Sequence, residues 1–248
     1  MNEIIRQLRE RKSVRAFTGQ EIAAKEKREI LLAAMAAPTA GNQQLYTILD
    51  ITDQSLKDRL AVSCDNQPFI REASMVLIFC ADMQKWYDAF LEGGCAPRLP
   101  RAGDLLLAVS DSNIAAQNAV VAAESLGIGS CYIGDIMERA EEHRALLQLP
   151  EYVFPAAMLC FGYPTRQQQE RKKPERCCLE DIVSENRYQR KSGQQLRQMF
   201  SKECRMLSFE EWIRRFCERK YNSDFSREMS RSVEIYLQPF LDGKEPRE

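Results

Sequence analysis

Arg11, Ser13 and Arg15 alternate along Arg11-Lys12-Ser13-Val14-Arg15-Ala16-Phe17. On a helix these three side chains scatter, whereas in an extended segment residues at i, i+2 and i+4 share one face. Two guanidiniums and a hydroxyl pointing the same way form a donor cluster suited to a phosphate or another electron-rich ligand. The same stretch also reads as a solvated basic turn behind a first helix, and spacing alone leaves both readings open. A second basic stretch, Arg171-Lys172-Lys173-Pro174-Glu175-Arg176, reads as a solvated loop unless a phosphate site lies near it. His143 is the only histidine, and Glu141-Glu142-His143-Arg144 reads as a polar helix face. A single histidine excludes histidine-rich metal sites, and nothing marks His143 as the base of a Ser–His or Cys–His hydrolase. The glycines of Gly127-Ile128-Gly129-Ser130-Cys131-Tyr132-Ile133-Gly134 have the wrong spacing for a dinucleotide fingerprint. They follow a helix and lead into a strand, the reverse of that fingerprint's context, so they read as a helix C-cap.

These groups need elements to position them. Asn2–Glu10 and Glu21–Ala36 read as helices, the second ended by Pro38-Thr39-Ala40-Gly41-Asn42. Tyr46–Ile51 reads as a strand, Gln54–Ser63 as a helix, and the continuous apolar run Met75–Ala81 as a buried strand. Asp104–Leu126 is long, alanine-rich and apolar on most faces, so it must be buried nearly all round, in the centre of the fold or at a subunit interface. Ser130–Gly134 and Ala156–Tyr163 read as further strands with a helix, Glu138–Leu147, between them. Beyond Pro164 the chain becomes polar, with amphipathic helices expected near Leu196–Lys220 and Asp224–Leu241. Helices and strands interleave without a regular βαβ alternation, which predicts an α+β layered fold.

The 248 residues suit one large domain with or without an extension. With 44% hydrophobic and 29% charged residues and a formal net charge of −1, the chain has the profile of a soluble globular protein and none of a nucleic-acid binder or membrane-surface protein. Residues 1–15 lack the apolar core of a secretory signal. The nine cysteines are odd in number, scattered and without C-x-x-C spacing, so reduced thiols in a cytoplasmic protein are expected.

Several motifs then fall in a recognisable order. They are Arg-x-Ser-x-Arg-x-Phe at Arg11–Phe17, Pro38-Thr39-Ala40-Gly41-Asn42-Gln43-Gln44, Asn66-Gln67-Pro68-Phe69, and Ala116-Gln117-Asn118 running on to Gly129. Tyr132-Ile133-Gly134 follows, then Phe161-Gly162-Tyr163-Pro164 with Lys173-Pro174-Glu175-Arg176. This order resembles the nitroreductase family over residues 1 to about 190. The resemblance implies a mainly antiparallel sheet flanked by helices, with the long central helix at the interface of a homodimer. It implies an FMN-binding domain over 1–190 and a C-terminal helical extension, 191–248, packed on the same domain, as in the larger NADPH-dependent subgroup.

By resemblance, FMN is held by Arg11, Lys12, Ser13, Arg15, Thr39, Asn42, Gln67, Tyr132, Ile133 and Gly134, with Lys173 and Arg176 as the phosphate clamp. This chain has Lys-Pro-Glu-Arg where the family often has Lys-Pro-Arg, which leaves Arg171, Lys173 and Arg176 as alternatives. Lys12 or Arg15 supplies positive charge to the flavin, and Arg231 lies where the nicotinamide nucleotide or the acceptor is held. The implied activity passes electrons from NAD(P)H to nitroaromatics, quinones or flavins by a ping-pong route, with no catalytic side chain and no metal. A flavin-binding sensor or structural dimer without turnover stands as the alternative.

Overall fold

The computed structural model describes residues 1–204 and 206–241. They divide into two compact units, Met1–Arg171 together with the chain from Met229, and Lys172–Glu228. The first unit is built on four strands, β1 (Tyr46–Asp50), β2 (Met75–Asp82), β3 (Gly129–Ile133) and β4 (Val153–Gly162), in the order β1-β2-β4-β3. Every neighbouring pair is antiparallel, with Tyr46 opposite Ala81, Met75 opposite Phe161 and Cys131 opposite Cys160.

The apolar run of β2 is buried on both faces, and its period of two sorts it between two cores. Met75, Leu77 and Phe79 join Leu159 and Phe161 against α2 (Ala24–Met35) and α6 (Ala102–Ser125). Val76, Ile78 and Cys80 face the other core, with α3 (Gln54–Ser63), α4 (Phe69–Glu72), Ile136, and Tyr236 and Phe240 of α13 (Asp224–Leu241). This is the layered α+β arrangement expected, with the sheet antiparallel throughout.

Within the single chain the long helix is buried on one side. Ala115, Ala116, Ala119, Val120 and Ala123 of α6 are fully buried, their small side chains letting the backbone lie close to the sheet. Leu106, Leu107 and Ile114, however, are 66%, 52% and 40% exposed. Within the chain α6 is therefore buried along one side only, and a second apolar side faces outward.

Boundaries moved where backbone chemistry outweighs periodicity. The helix expected from Glu138 begins instead at Ala140 in α7 (Ala140–Leu147). Gly134–Met137 forms a 3-10 turn ahead of it, and Arg139 takes a left-handed φ of +47°. In the first unit α1 (Glu3–Glu10), α5 (Gln84–Glu92) and α8 (Arg166–Glu170) complete the set.

In the second unit the single helix expected over Leu196–Lys220 is broken into α10 (Gly193–Met199), α11 (Ser201–Cys204) and α12 (Phe209–Lys220), after the short α9 (Leu179–Ile182). Ser208 caps α12, its hydroxyl accepting from the Glu211 N–H at 3.1 Å. Phe200, Trp212 and Phe216 stack in sequence, with ring centroids 5.5 and 5.4 Å apart.

Candidate functional site

The segment behind α1 is extended and lies along the sheet. Val14 N–H donates to Ser130 O at 2.9 Å, Thr18 N–H to Tyr163 O at 2.9 Å, and Thr165 N–H returns to Ala16 O at 3.2 Å. Two glycines make the approach possible. A Cβ at Gly129 would stand 2.6 Å from Val14 Cγ2, and one at Gly162 would stand 2.7 Å from the Phe17 ring.

This docking sets Arg11, Ser13 and Arg15 alongside β3, and all three act electrostatically on the Cys131 thiol. Burial raises that thiol's pKa, while the Arg15 charge, a Ser13 hydrogen bond and the Arg11 charge oppose the rise. Arg11 Nε and Ser130 Oγ are each buried without a hydrogen-bond partner, which leaves donors available to a ligand. Tyr132, the next residue, is pushed up to about 12 by burial against the opposing Arg11 charge, and its hydroxyl donates to Gln117 Oε1 of α6 at 3.3 Å. Lys12 points elsewhere. Its ammonium donates to Gln169 O at 2.6 Å and to Arg171 O, closing the end of α8. The Arg171 guanidinium in turn donates to Ser13 O. Of the three cations left open by the sequence, Arg171 is therefore the one seen against this segment. Lys173 and Arg176 fall in the second unit.

At the far end of β3, Ile133 is buried in the core and Gly134 opens an exposed turn. Gln67 lies beside this turn, its amide donating to Asp135 Oδ2 at 2.8 Å and to Cys64 O at 2.9 Å. The backbone reaches Gln67 through two left-handed residues, Asp65 (φ +60°) and Asn66 (φ +50°). Arg11, Ser13, Arg15, Tyr132, Gly134 and Gln67 thus line one strand from end to end.

Thr39 and Asn42 belong to a different turn. Its partners are on α5 and α6, so within one chain they are grouped apart from the arginines. Asp111 of α6, buried, accepts from the Thr39 hydroxyl, from Ala40 N–H at 3.1 Å and from Leu45 N–H at 3.2 Å. Trp86 Nε1–H donates to Gln43 O at 2.8 Å. Three residues of this turn, Gly41, Asn42 and Gln44, have φ between +50° and +57°. Arg231, on α13, is paired with Glu141 of α7 through two bonds of 2.8 and 3.0 Å.

Three polar positions that hold these turns escaped the sequence reading. Asp111 carried a signal, being the one charged residue between Asp104 and Glu124 in an apolar helix. Asp135 carried none. His143, read as part of a polar face, is fully buried, its Nδ1 2.9 Å from Ile136 O and its Nε2 2.8 Å from Ser63 Oγ.

Comparison with known proteins agrees with this architecture. The sequence profile described as the Nitroreductase family matches residues 8–163. An FMN reductase (NADPH) of Bacillus subtilis is 33% identical over 190 residues, covering 76% of this chain and 75% of the relative. An oxygen-insensitive NADPH nitroreductase of Salmonella typhimurium is 34% identical over 178 residues, covering 72% and 71%. The solved structure of a Bacillus subtilis nitroreductase superposes with a TM-score of 0.78 at 28% identity, over 92% of this chain and 98% of that one. Fold, motif order and sequence similarity together make this chain a member of the nitroreductase family.

Proposed function

We propose that this oxidoreductase of the nitroreductase family holds FMN along β3 and passes electrons from NAD(P)H to small acceptors such as nitroaromatics, quinones or flavins. The observation that carries the reading is the docking of the extended Arg11–Phe17 segment on β3 and the chain after β4, with Arg11 Nε buried and unpartnered. A cationic donor set with spare donors fits a phosphate, and the exposed turn at Gly134 with the Gln67 amide fits the polar edge of a flavin ring. The names of the relatives, an FMN reductase (NADPH) and an NADPH nitroreductase, support the same chemistry.

FMN bound there would supply the hydride chemistry, leaving binding, orientation and electrostatics to the protein. Arg11 and Ser13 hold the phosphate, with Arg171, Lys173 or Arg176 completing its neutralisation. Arg15, exposed while Lys12 is bound to two carbonyls, is the better placed of the two to offer charge to an anionic ring. Gly134 N–H and the Gln67 amide orient the ring edge, and Tyr132 and Ile133 support it from the strand. Nicotinamide and acceptor occupy one open face in turn, which gives ping-pong kinetics.

Thr39 and Asn42 are assigned to the flavin site of a second copy. The outward Leu106, Leu107 and Ile114 of α6 support a homodimer whose two sites each draw on both chains. Arg231 must leave Glu141 to hold a nicotinamide nucleotide. The flavin-binding domain is taken as 1–190 and the extension as 191–248. Nine free thiols suit a cytoplasmic location. The test is stopped-flow reduction of FMN-loaded protein by NADPH without oxygen, followed by mixing with a quinone. Reduction and reoxidation in two separate steps support the proposal, and no reduction by either NADPH or NADH removes it.

A further inference from the structure

His143 is fully buried, and no part of the proposed chemistry uses it. Its two ring nitrogens tie together segments far apart in sequence. A carbonyl oxygen only accepts, so the bond at Ile136 O puts the ring proton on Nδ1. Burial favours the neutral ring, so Nε2 accepts and the Ser63 hydroxyl, 80 residues away, donates to it.

Ser63 and Ile136 begin and adjoin the two turns that form one end of the site. Ser63 ends α3, and the chain doubles back from it through Asp65 and Asn66, both left-handed, to Gln67. Ile136 follows Asp135, the residue that holds the Gln67 amide. The two turns are therefore joined twice, once by Gln67 and Asp135 in a partly buried bond and once by Ser63, His143 and Ile136 in the interior. Non-glycine residues at positive φ persist where their surroundings over-determine them: Asn66 N–H to Val62 O at 3.3 Å and Gln67 N–H to Ala61 O at 2.8 Å fold the first turn back on α3, and the Gln67–Asp135 and Ser63–His143–Ile136 bonds tie it to the second turn.

We infer that His143 is a positioning residue, a buried brace that holds the 63–67 turn against the 134–137 turn and so sets the Gln67 amide and the Gly134 N–H in register. The ligand of that register rests on the flavin reading, whereas the brace itself does not.

The test is hydrogen exchange on the ligand-free chain, with FMN titration as a second readout. His143→Leu should raise exchange about tenfold in 64–67 and 135–137, the loss of roughly one well-made buried bond, and weaken FMN binding by a similar factor. The strands of the sheet and α6 should exchange as before. His143→Gln, which keeps a donor and an acceptor, should restore part of both. Ser112→Ala, which removes a buried hydroxyl bond to Ala108 O on α6, is the matched control. If His143→Leu does not fold, Ser63→Ala removes one arm at little change in volume and should move the same two turns. Unchanged exchange in both turns, or the uniform rise seen in the control, overturns the brace. A wild-type chain that takes up no FMN overturns the flavin reading instead, and the exchange result still decides the role of His143.

Discussion

Gly129 has no side chain where Val14 lies: a Cβ there would stand 2.6 Å from Val14 Cγ2 and 2.9 Å from Val14 Cβ. That contact seats the whole Arg11–Phe17 segment on β3. Gly129→Ala should therefore cost about 1–3 kcal/mol through overpacking and lower Tm by roughly 2–10 °C. Gly129→Ala with Val14→Ala should recover part of the loss, because the obstructing methyls are gone. A double variant no more stable than Gly129→Ala alone would contradict the packing account.

Arg15→Ala should weaken FMN binding roughly 10- to 100-fold, the worth of a charge-assisted bond to a phosphate or an anionic ring. Lys12→Ala should act differently, loosening α8, whose end carbonyl at Gln169 it holds at 2.6 Å. Calorimetric titration of FMN into both variants separates the two. Equal affinities for Arg15→Ala and wild type would remove Arg15 from the site.

The parts of this fold legible in the sequence are those where one pattern decides. The continuous apolar run Met75–Ala81 is consistent with a buried strand, and it lies in β2. To share one face, Arg11, Ser13 and Arg15 at i, i+2 and i+4 need an extended backbone, and isolated bridges at Ser13 and Phe17 supply it. What stayed hidden depends on contacts distant in sequence. His143 is flanked by Glu142 and Arg144, so local polarity pointed outward while Ser63, from another helix, draws it inward. The break before α12 was written in Ser208-Phe209-Glu210-Glu211, a capping signature outweighed by the apolar residues on either side. The outward leucines of α6 could not be told from buried ones, since both are apolar and only the sheet's position divides them.

Asp111 is a fixed acceptor for a turn containing three residues at positive φ. Asp111→Ala leaves the Ala40 and Leu45 N–H groups without that partner and should cost about 2–4 kcal/mol, lowering Tm by roughly 5–15 °C. Asp111→Asn keeps an acceptor and should cost less. Thermal unfolding of the pair checks the order, and an equal, small loss in both would contradict the clamp.

The pH dependence of stability follows from His143. Burial lowers its folded pKa below the ordinary 6.5, opposed in part by the Ile136 carbonyl bond, Glu142 and the Glu138 backbone, with Arg139 lowering it further. The unfolded chain therefore binds a proton that the folded chain refuses. Stability is full above about pH 6.5, declines as pH falls below that value, and continues to fall until the lower folded pKa is passed. His143 is the only histidine, so His143→Gln should flatten the slope of unfolding free energy between about pH 5.5 and 7. A slope unchanged in that variant would place the titrating group elsewhere.

The central claim is that the donors along β3 hold a flavin that nicotinamide reduces. The most direct measurement is the visible absorption spectrum of the purified protein supplied with FMN, before and after NADPH is added in the absence of oxygen. The account predicts a yellow protein, with about one FMN retained per chain, that bleaches on reduction. A protein that stays colourless and retains no FMN would contradict it.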